Sequence, residues 1–181
     1  NSGAAGTFGV YTAASNGLLL VSDYYDDDAA SDAGAVYVFD EQTRQLIGTI
    51  TGSTASDNIG RGGVYMLGDS GVAYIRSQYW DNTGAVDAGA VTLIDLATGT
   101  FLGTGTTAVG AVSAANSIVG STASDRIGYG GVSLLGNSGV ASIRSYEWDD
   151  AGAANAGAVT LIDLAAGTFL GTATTAVGAV S

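Results

Sequence analysis

Gly52-Ser53-Thr54-Ala55-Ser56-Asp57 returns 68 positions later as Gly120-Ser121-Thr122-Ala123-Ser124-Asp125, and the register set by this pair governs the chain downstream of it. Gly62-Gly63-Val64 matches Gly130-Gly131-Val132, Ile75-Arg76-Ser77 matches Ile143-Arg144-Ser145, and Trp80-Asp81 matches Trp148-Asp149. Residues 88–96 and 156–164 are identical. A third, diverged copy precedes them: Tyr25-Asp26 stands for Trp80-Asp81, and Asp32-Ala33-Gly34-Ala35-Val36 for Asp87-Ala88-Gly89-Ala90-Val91. Self-similarity at a fixed period is the signature of a repeat architecture. The copies divide the chain into repeat 1 (residues 1–51), repeat 2 (52–119) and repeat 3 (120–181).

Punctuation within a copy gives the fold class. In repeat 2 a strand over about residues 64–67 meets the turn Gly68-Asp69-Ser70-Gly71, then a strand over 72–76 and a long loop through Trp80 to Asp87. A third strand over 90–95, the turn Ala97-Thr98-Gly99 and a fourth strand over 100–103 complete the unit. Short Val-, Ile-, Thr- and Tyr-rich runs bounded by Gly, Asn, Asp and Ser read as strands in a meander. With 29 Gly and no Pro, turns must come from Gly, Asn, Asp and Ser, and helix is disfavoured. The expected fold is therefore all-β: three tandem four-stranded antiparallel blades of the propeller type, with a β-solenoid-like array as the alternative. Three blades do not close a ring, so the expectation is a piece of a larger array or a subunit completed by association. The third strand of each copy, over residues 35–39, 90–94 and 158–162, is apolar on nearly both faces and is expected to be buried and central in its sheet.

The copies differ at one place. Repeat 1 passes from Gly48-Thr49 almost directly to Gly52, whereas repeat 2 inserts residues 105–119 as a connector of strand-like composition. Repeat 3 repeats the opening of that connector as Thr174-Thr175-Ala176-Val177-Gly178-Ala179-Val180-Ser181. Such a tail is expected to satisfy its backbone by adding to a neighbouring chain, a head-to-tail contact that generates rings or filaments.

Charge and composition exclude much. A formal net charge of −12 with five basic residues, all Arg, leaves no patch to neutralise phosphates or anionic lipid, so neither nucleic acid nor a membrane surface is an expected partner. No apolar run is long enough to span a bilayer, and the first residues lack a secretory leader pattern, so any leader is expected to be gone already. His, Cys and Lys are absent, which removes thiolate and imidazole metal sites and the usual nucleophile and base pairs. Paired carboxylates are the remaining enzymatic option, but these Asp residues recur at turns in every copy, so the chain is not expected to be an enzyme.

Two clusters are candidate sites. Asp23, Asp26, Asp27, Asp28 and Asp32 fill the long loop of repeat 1 and could supply oxygen ligands to Ca²⁺. They serve equally as turn formers and as solubilising surface, and the fixed-position ligand grammar of a calcium loop is missing. Tyr24, Tyr25, Tyr79, Trp80 and Trp148 recur at one phase of the same loop. They could stack on the sugar rings of a surface glycan, or cap the edge of a thin core. Arg76 and Arg144 share a phase and are expected to pair with loop carboxylates.

Phe8-Gly9-Val10, Leu18-Leu19-Leu20-Val21-Ser22-Asp23 and the run from Ala33 to Asp40 resemble the FG-GAP blade of integrin-like propellers. Val-Ser-Asp and Ile-Arg-Ser replace its Gly-Ala-Pro, and its Asp-x-Asp-x-Asp-Gly loop is absent. Repeats 2 and 3, with the run from Ala114 to Asp125, Arg144-Ser145 and Trp148-Asp149, are similar to tandem repeats of large bacterial secreted proteins of the filamentous-haemagglutinin kind. That resemblance implies an extracellular, surface-exposed array. The function expected is a structural building block of a bacterial filament or surface assembly, the chain's partner being itself; the alternative is an adhesive module for glycan or matrix, with Ca²⁺ as a stabilising ion.

Overall fold

A computed structural model of the chain describes residues 7–180, which form strands and turns and, among themselves, no helix. Repeat 1 contributes β1 (Thr12–Ser15), β2 (Leu18–Asp23), β3 (Ala35–Asp40) and β4 (Leu46–Thr51). Repeat 2 contributes β5 (Gly63–Met66), β6 (Val72–Ser77), β7 (Ala90–Asp95), β8 (Thr100–Phe101), β9 (Gly110–Ala111) and β10 (Ile118–Val119). Repeat 3 contributes β11 (Gly131–Leu134), β12 (Val140–Ser145), β13 (Ala158–Asp163), β14 (Thr168–Phe169) and β15 (Gly178–Ala179). Each repeat builds one antiparallel meander, ordered β1-β2-β3-β4, β5-β6-β7-β8 and β11-β12-β13-β14, and none of the sheets closes into a barrel. The hairpins are made by local chemistry: Asn16 and Gly17, with φ of 53° and 83°, supply the two positive dihedrals that a two-residue loop between twisted strands requires.

Alternation along the strands places two apolar faces on each sheet, and the sheets stack through them. Ala73, Ile75, Ala90 and Ile94 of repeat 2 share a core with Leu20, Val36, Val38 and Ile50 of repeat 1. Val72, Val91 and Leu93, on the other face of the same sheet, share a core with Ala141, Ile143, Ile162 and Leu164 of repeat 3. A side-chain period of two is what lets one strand serve two cores.

The fourth strand explains the inserted connector. In repeat 1 it is continuous: β4 pairs along β3 from Leu46 opposite Phe39 to Thr51 opposite Ala35, with a bulge between Val38 and Phe39. In repeat 2 the same place is filled twice, by β8 opposite Ile94 and Asp95 and by β10 opposite Ala90 and Val91. The residues between leave the sheet and lay β9 parallel to the outer edge of β4, with Ile50 opposite Gly110 and Thr51 opposite Ala111. Repeat 3 does the same to repeat 2, placing β15 parallel to β10. Each excursion therefore covers the edge strand of the preceding sheet, and an edge so covered no longer offers unpaired backbone groups to solvent.

Two expectations need correction. The tail Thr174 to Val180 is held inside its own chain: the Gly178 amide donates to the Ser117 carbonyl at 2.9 Å and the Val180 amide to the Val119 carbonyl at 3.0 Å. Ser181 lies outside the described residues. The third strands occupy equivalent places in the three sheets, as expected, but they are not equally buried. β7 is buried along most of its length, whereas Val159 of β13 is 64 % exposed, because among the described residues no strand takes the place that β10 has beside β7 and no sheet covers that face.

Candidate functional site

The repeated Gly-Ser-Thr-Ala-Ser-Asp segment, common to both junctions, is a staple between repeats. Its last residue is a fully buried carboxylate in each copy. Asp57 accepts the Ser53 and Thr54 amides at 2.7 and 2.8 Å and the Thr54 hydroxyl at 2.7 Å, and reaches across to the Asp81 amide of the Trp80 turn at 3.0 Å. Asp125 repeats this with the Ser121 and Thr122 amides at 2.8 and 2.9 Å, the Thr122 hydroxyl, and the Asp149 amide at 3.0 Å. Four donors aimed at one carboxylate satisfy a buried charge without a counter-ion. The other side of the segment holds the preceding repeat: Asn58 and Ile59 donate to the Asp32 and Ala33 carbonyls, and Arg126 and Ile127 to those of Asp87 and Ala88.

This loop face needs backbone that most residues avoid. Asp32, Asp87 and Asn155 share φ values of 51–53° at one phase, and Ser56 and Ser124 share 66–67° at another. Asn and Asp tolerate the left-handed region through local side-chain hydrogen bonds, which is why they recur there. Gly34 and Gly89 are required for a different reason: a Cβ on either would stand 2.4 Å from the backbone nitrogen of Ile59 or Ile127, so the next repeat's chain runs directly against them.

The aspartates of the repeat 1 loop do not converge. Asp23 accepts the Thr7 hydroxyl, Asp26 accepts the Asp28 amide and the Tyr37 hydroxyl, and Asp27 accepts the Asp32 amide at 2.7 Å. Asp28 is exposed. Among the described residues no group of three or more Asp or Glu side chains is placed to share an ion. Burial pushes the Tyr37 hydroxyl well above its ordinary range, and the hydrogen bond to Asp26 and the charges of Asp26, Asp28 and Asp23 push the same way.

The aromatic phase splits into two roles. Trp80 is only 4 % exposed and belongs to the core between repeats 1 and 2, with Phe101, Val112 and Val119, so its ring face is not offered to solvent. Trp148 is half-buried at the equivalent place. Tyr24, Tyr25 and Tyr79 are half-buried on the loop face, Tyr24 and Tyr25 meeting edge to face at 4.7 Å between centroids. Arg61 lies between Tyr25 and Tyr79, its guanidinium 5.7 and 4.8 Å from their centroids, and Arg126 lies 5.7 Å from Tyr79 on the other side. The resulting row, Tyr25, Arg61, Tyr79, Arg126, ends on Glu147, which pairs with Arg126 at 3.2 Å. Each such contact at a partly exposed site contributes about 0.5–1 kcal/mol, so the row tunes the junctions without holding them.

Arg76 does not pair with a loop carboxylate. Its guanidinium donates to the carbonyls of Gly62 and of Gly128 in the next repeat, and the ion pairs among the described residues, to Asp87 and Glu147, are both made by Arg126. The glycine-rich turn beside Arg76 exposes carbonyls closer than any carboxylate, and these accept the fork. Arg144, at the same phase, has no carboxylate partner among the described residues either.

Between Ser53-Thr54, the Trp80 to Val86 loop and residues 112–115 lies an open groove of about 800 Å³. One carboxylate, Asp81, lines it and is already accepting the Asp87 amide at 2.8 Å. In the sequence Asp57 and Asp125 stand out only as repeat markers. The usable signal was Thr54-x-x-Asp57 and Thr122-x-x-Asp125, a hydroxyl and a carboxylate at local hydrogen-bonding spacing, kept in both copies.

No curated protein matches the chain. A family model described as a repeat of unknown function (DUF5650) matches residues 71–129 and again residues 137–181. The first match opens at the turn before β6 and runs through β10 and the staple as far as Tyr129, so the family's unit contains β6 to β10 and the segment that locks them to the next copy. Together the two matches span more than half of the chain, which belongs to this DUF5650 repeat family.

Proposed function

We propose that the chain is a structural segment of an extracellular, surface-exposed repeat assembly, in which blades in series hold spacing and carry load. The observation that carries this reading is the interlocking of successive repeats. Each later repeat sends an excursion strand to the preceding sheet's edge, and at each junction the backbone of a segment pinned by a buried aspartate donates to the carbonyls of the preceding repeat. Both devices lie between repeats, where a structural array needs strength, and both are duplicated, whereas a single specialised site would appear once. The similarity of repeats 2 and 3 to tandem repeats of large secreted bacterial proteins supports the location.

The chain held at its two ends in an optical trap tests it. Repeats 1 to 3 are expected to yield as one block. Three separate, weak unfolding events would mean that the junctions carry no load and would overturn the reading.

A second reading, adhesion to glycan or matrix, is favoured by the Tyr25-Arg61-Tyr79-Arg126 row along the loop face. Saturable binding on a glycan array, lost in Tyr79→Ala, would put it first.

A further inference from the structure

Repeat 3 carries a groove of about 570 Å³ whose counterpart in repeat 2 is full. Its walls include Trp148, Ala158, Val159, Thr160, Phe169 and Val180. The residues 68 positions earlier are Trp80, Ala90, Val91, Thr92, Phe101 and Val112, and there β10 fills the space. Ile118 and Val119 pair with Val91 and Ala90, Val119 packs in one core with Trp80, Phe101 and Val112, and the Ser117 and Thr92 hydroxyls meet at 2.7 Å in full burial. In repeat 3 the walls stand open: Val159 is 64 % exposed against 0 % for Val91, and Trp148 and Phe169 are half-buried where Trp80 and Phe101 are buried. The backbone beside the groove keeps its receiving shape. Gly157 has φ +76°, against +75° for Gly34 and Gly89, yet a Cβ there would meet nothing closer than 3.6 Å, where the other two would strike the backbone of an incoming isoleucine.

We propose that this groove is an acceptor site for the closing segment of a DUF5650 repeat, a strand of the type Ser-Ile-Val-Gly-Ser-Thr-Ala-Ser-Asp supplied by a further repeat. The strand enters antiparallel to β13, its Ile opposite Val159 and its Val opposite Ala158. Backbone pairing supplies registry, and the pocket floored by Trp148 and Phe169 selects the apolar residue that points into it. The occupant is this sequence because the same walls, in the same order, already hold it in repeat 2, and because the family's unit as matched over residues 71–129 includes it. This inference rests on the interlocked-array reading and specifies how the array is extended.

A synthetic peptide with the sequence of residues 114–128, titrated into the intact chain, tests it. Trp148 is the reporter, since Trp80 is already buried. The expected result is saturable binding with a blue shift of the indole emission. Binding should weaken at least about tenfold in Val159→Asp and be absent for a scrambled peptide. Because Val159 is exposed, Val159→Asp leaves the fold intact, which an unchanged thermal transition verifies. No saturable binding at millimolar peptide, or binding indifferent to Val159→Asp, overturns the proposal. So does a concentration-dependent oligomer of the chain alone that Val159→Asp dissociates, since the occupant would then be a second copy. Failure here with block-like yielding in the trap would leave the structural reading standing, so the two fail separately.

Discussion

Strands β7 and β13 have the same six residues, Ala-Val-Thr-Leu-Ile-Asp, and the same place in their sheets, and they differ in nearly everything that determines stability. Val91 has no exposed surface because β10 lies along its edge and the sheet of repeat 3 covers its face; Val159, with neither, is 64 % exposed. The difference shows that in a stacked repeat the burial of a residue belongs to the junction and not to the strand. Stability in such arrays is a sum of weak units and nearest-neighbour interfaces, and here the second term is visible as a change in exposure at constant sequence.

The comparison can be broken most sharply by placing a charge at each position. Val91→Asp is expected to cost about 4 kcal/mol or more, enough to unfold repeat 2 together with its neighbours, because the carboxylate would lie in a dry core. Val159→Asp should cost less than about 0.5 kcal/mol, as for an ordinary surface site. Urea titrations of the two variants check this, and equal losses would show that the two strands are not differently covered.

Glycine offers a finer cut. Gly89→Ala and Gly157→Ala incur the same left-handed backbone strain, about 1–2 kcal/mol, since their φ values differ by one degree. Gly89→Ala must also displace the backbone of Ile127 and is expected to cost about 2 kcal/mol beyond that, so the gap between the variants in denaturant midpoint measures the close approach of the next repeat.

The staples sharpen the same point from the junction side. Asp57→Ala or Asp125→Ala leaves buried amide donors without an acceptor and is expected to cost about 2–3 kcal/mol. The unfolding transition should also broaden as repeats uncouple. A transition as sharp as that of the parent, by circular dichroism and fluorescence together, would mean that the staples do not join the repeats.

The smallest effect is at high pH. Burial first, then the hydrogen bond to Asp26, raises the folded pKa of Tyr37 above its unfolded value near 10. Its contribution is therefore complete below about pH 10 and is lost as pH rises from there towards the folded value. Since Tyr37 is only half-buried, the loss is expected to stay under about 1 kcal/mol. Denaturant midpoints between pH 9 and 11 should fall less steeply in Tyr37→Phe.

The open groove around Val159 and the filled one around Val91 were equally invisible in the chain, because identical residues cannot announce different surroundings. What the sequence determined by itself was local or periodic: the repeat register from Gly52 and Gly120, strands at the apolar runs, turns at Gly-Asp-Ser-Gly and Ala-Thr-Gly, and an all-β fold that follows from 29 Gly, no Pro and a side-chain period of two. Each of these is decided by backbone dihedrals and side-chain branching within a few residues. The inserted connector was legible as strand-like, but its destination was not. Only the tertiary structure decided that β9 goes back to β4 and β15 to β10, that Asp57 and Asp125 bind the turns at Asp81 and Asp149, and that Arg76 takes carbonyls in place of carboxylates. Those choices join groups far apart in the chain or in different repeats. They follow from which unpaired edge, buried donor or open carbonyl stands within hydrogen-bonding reach once the sheets have stacked.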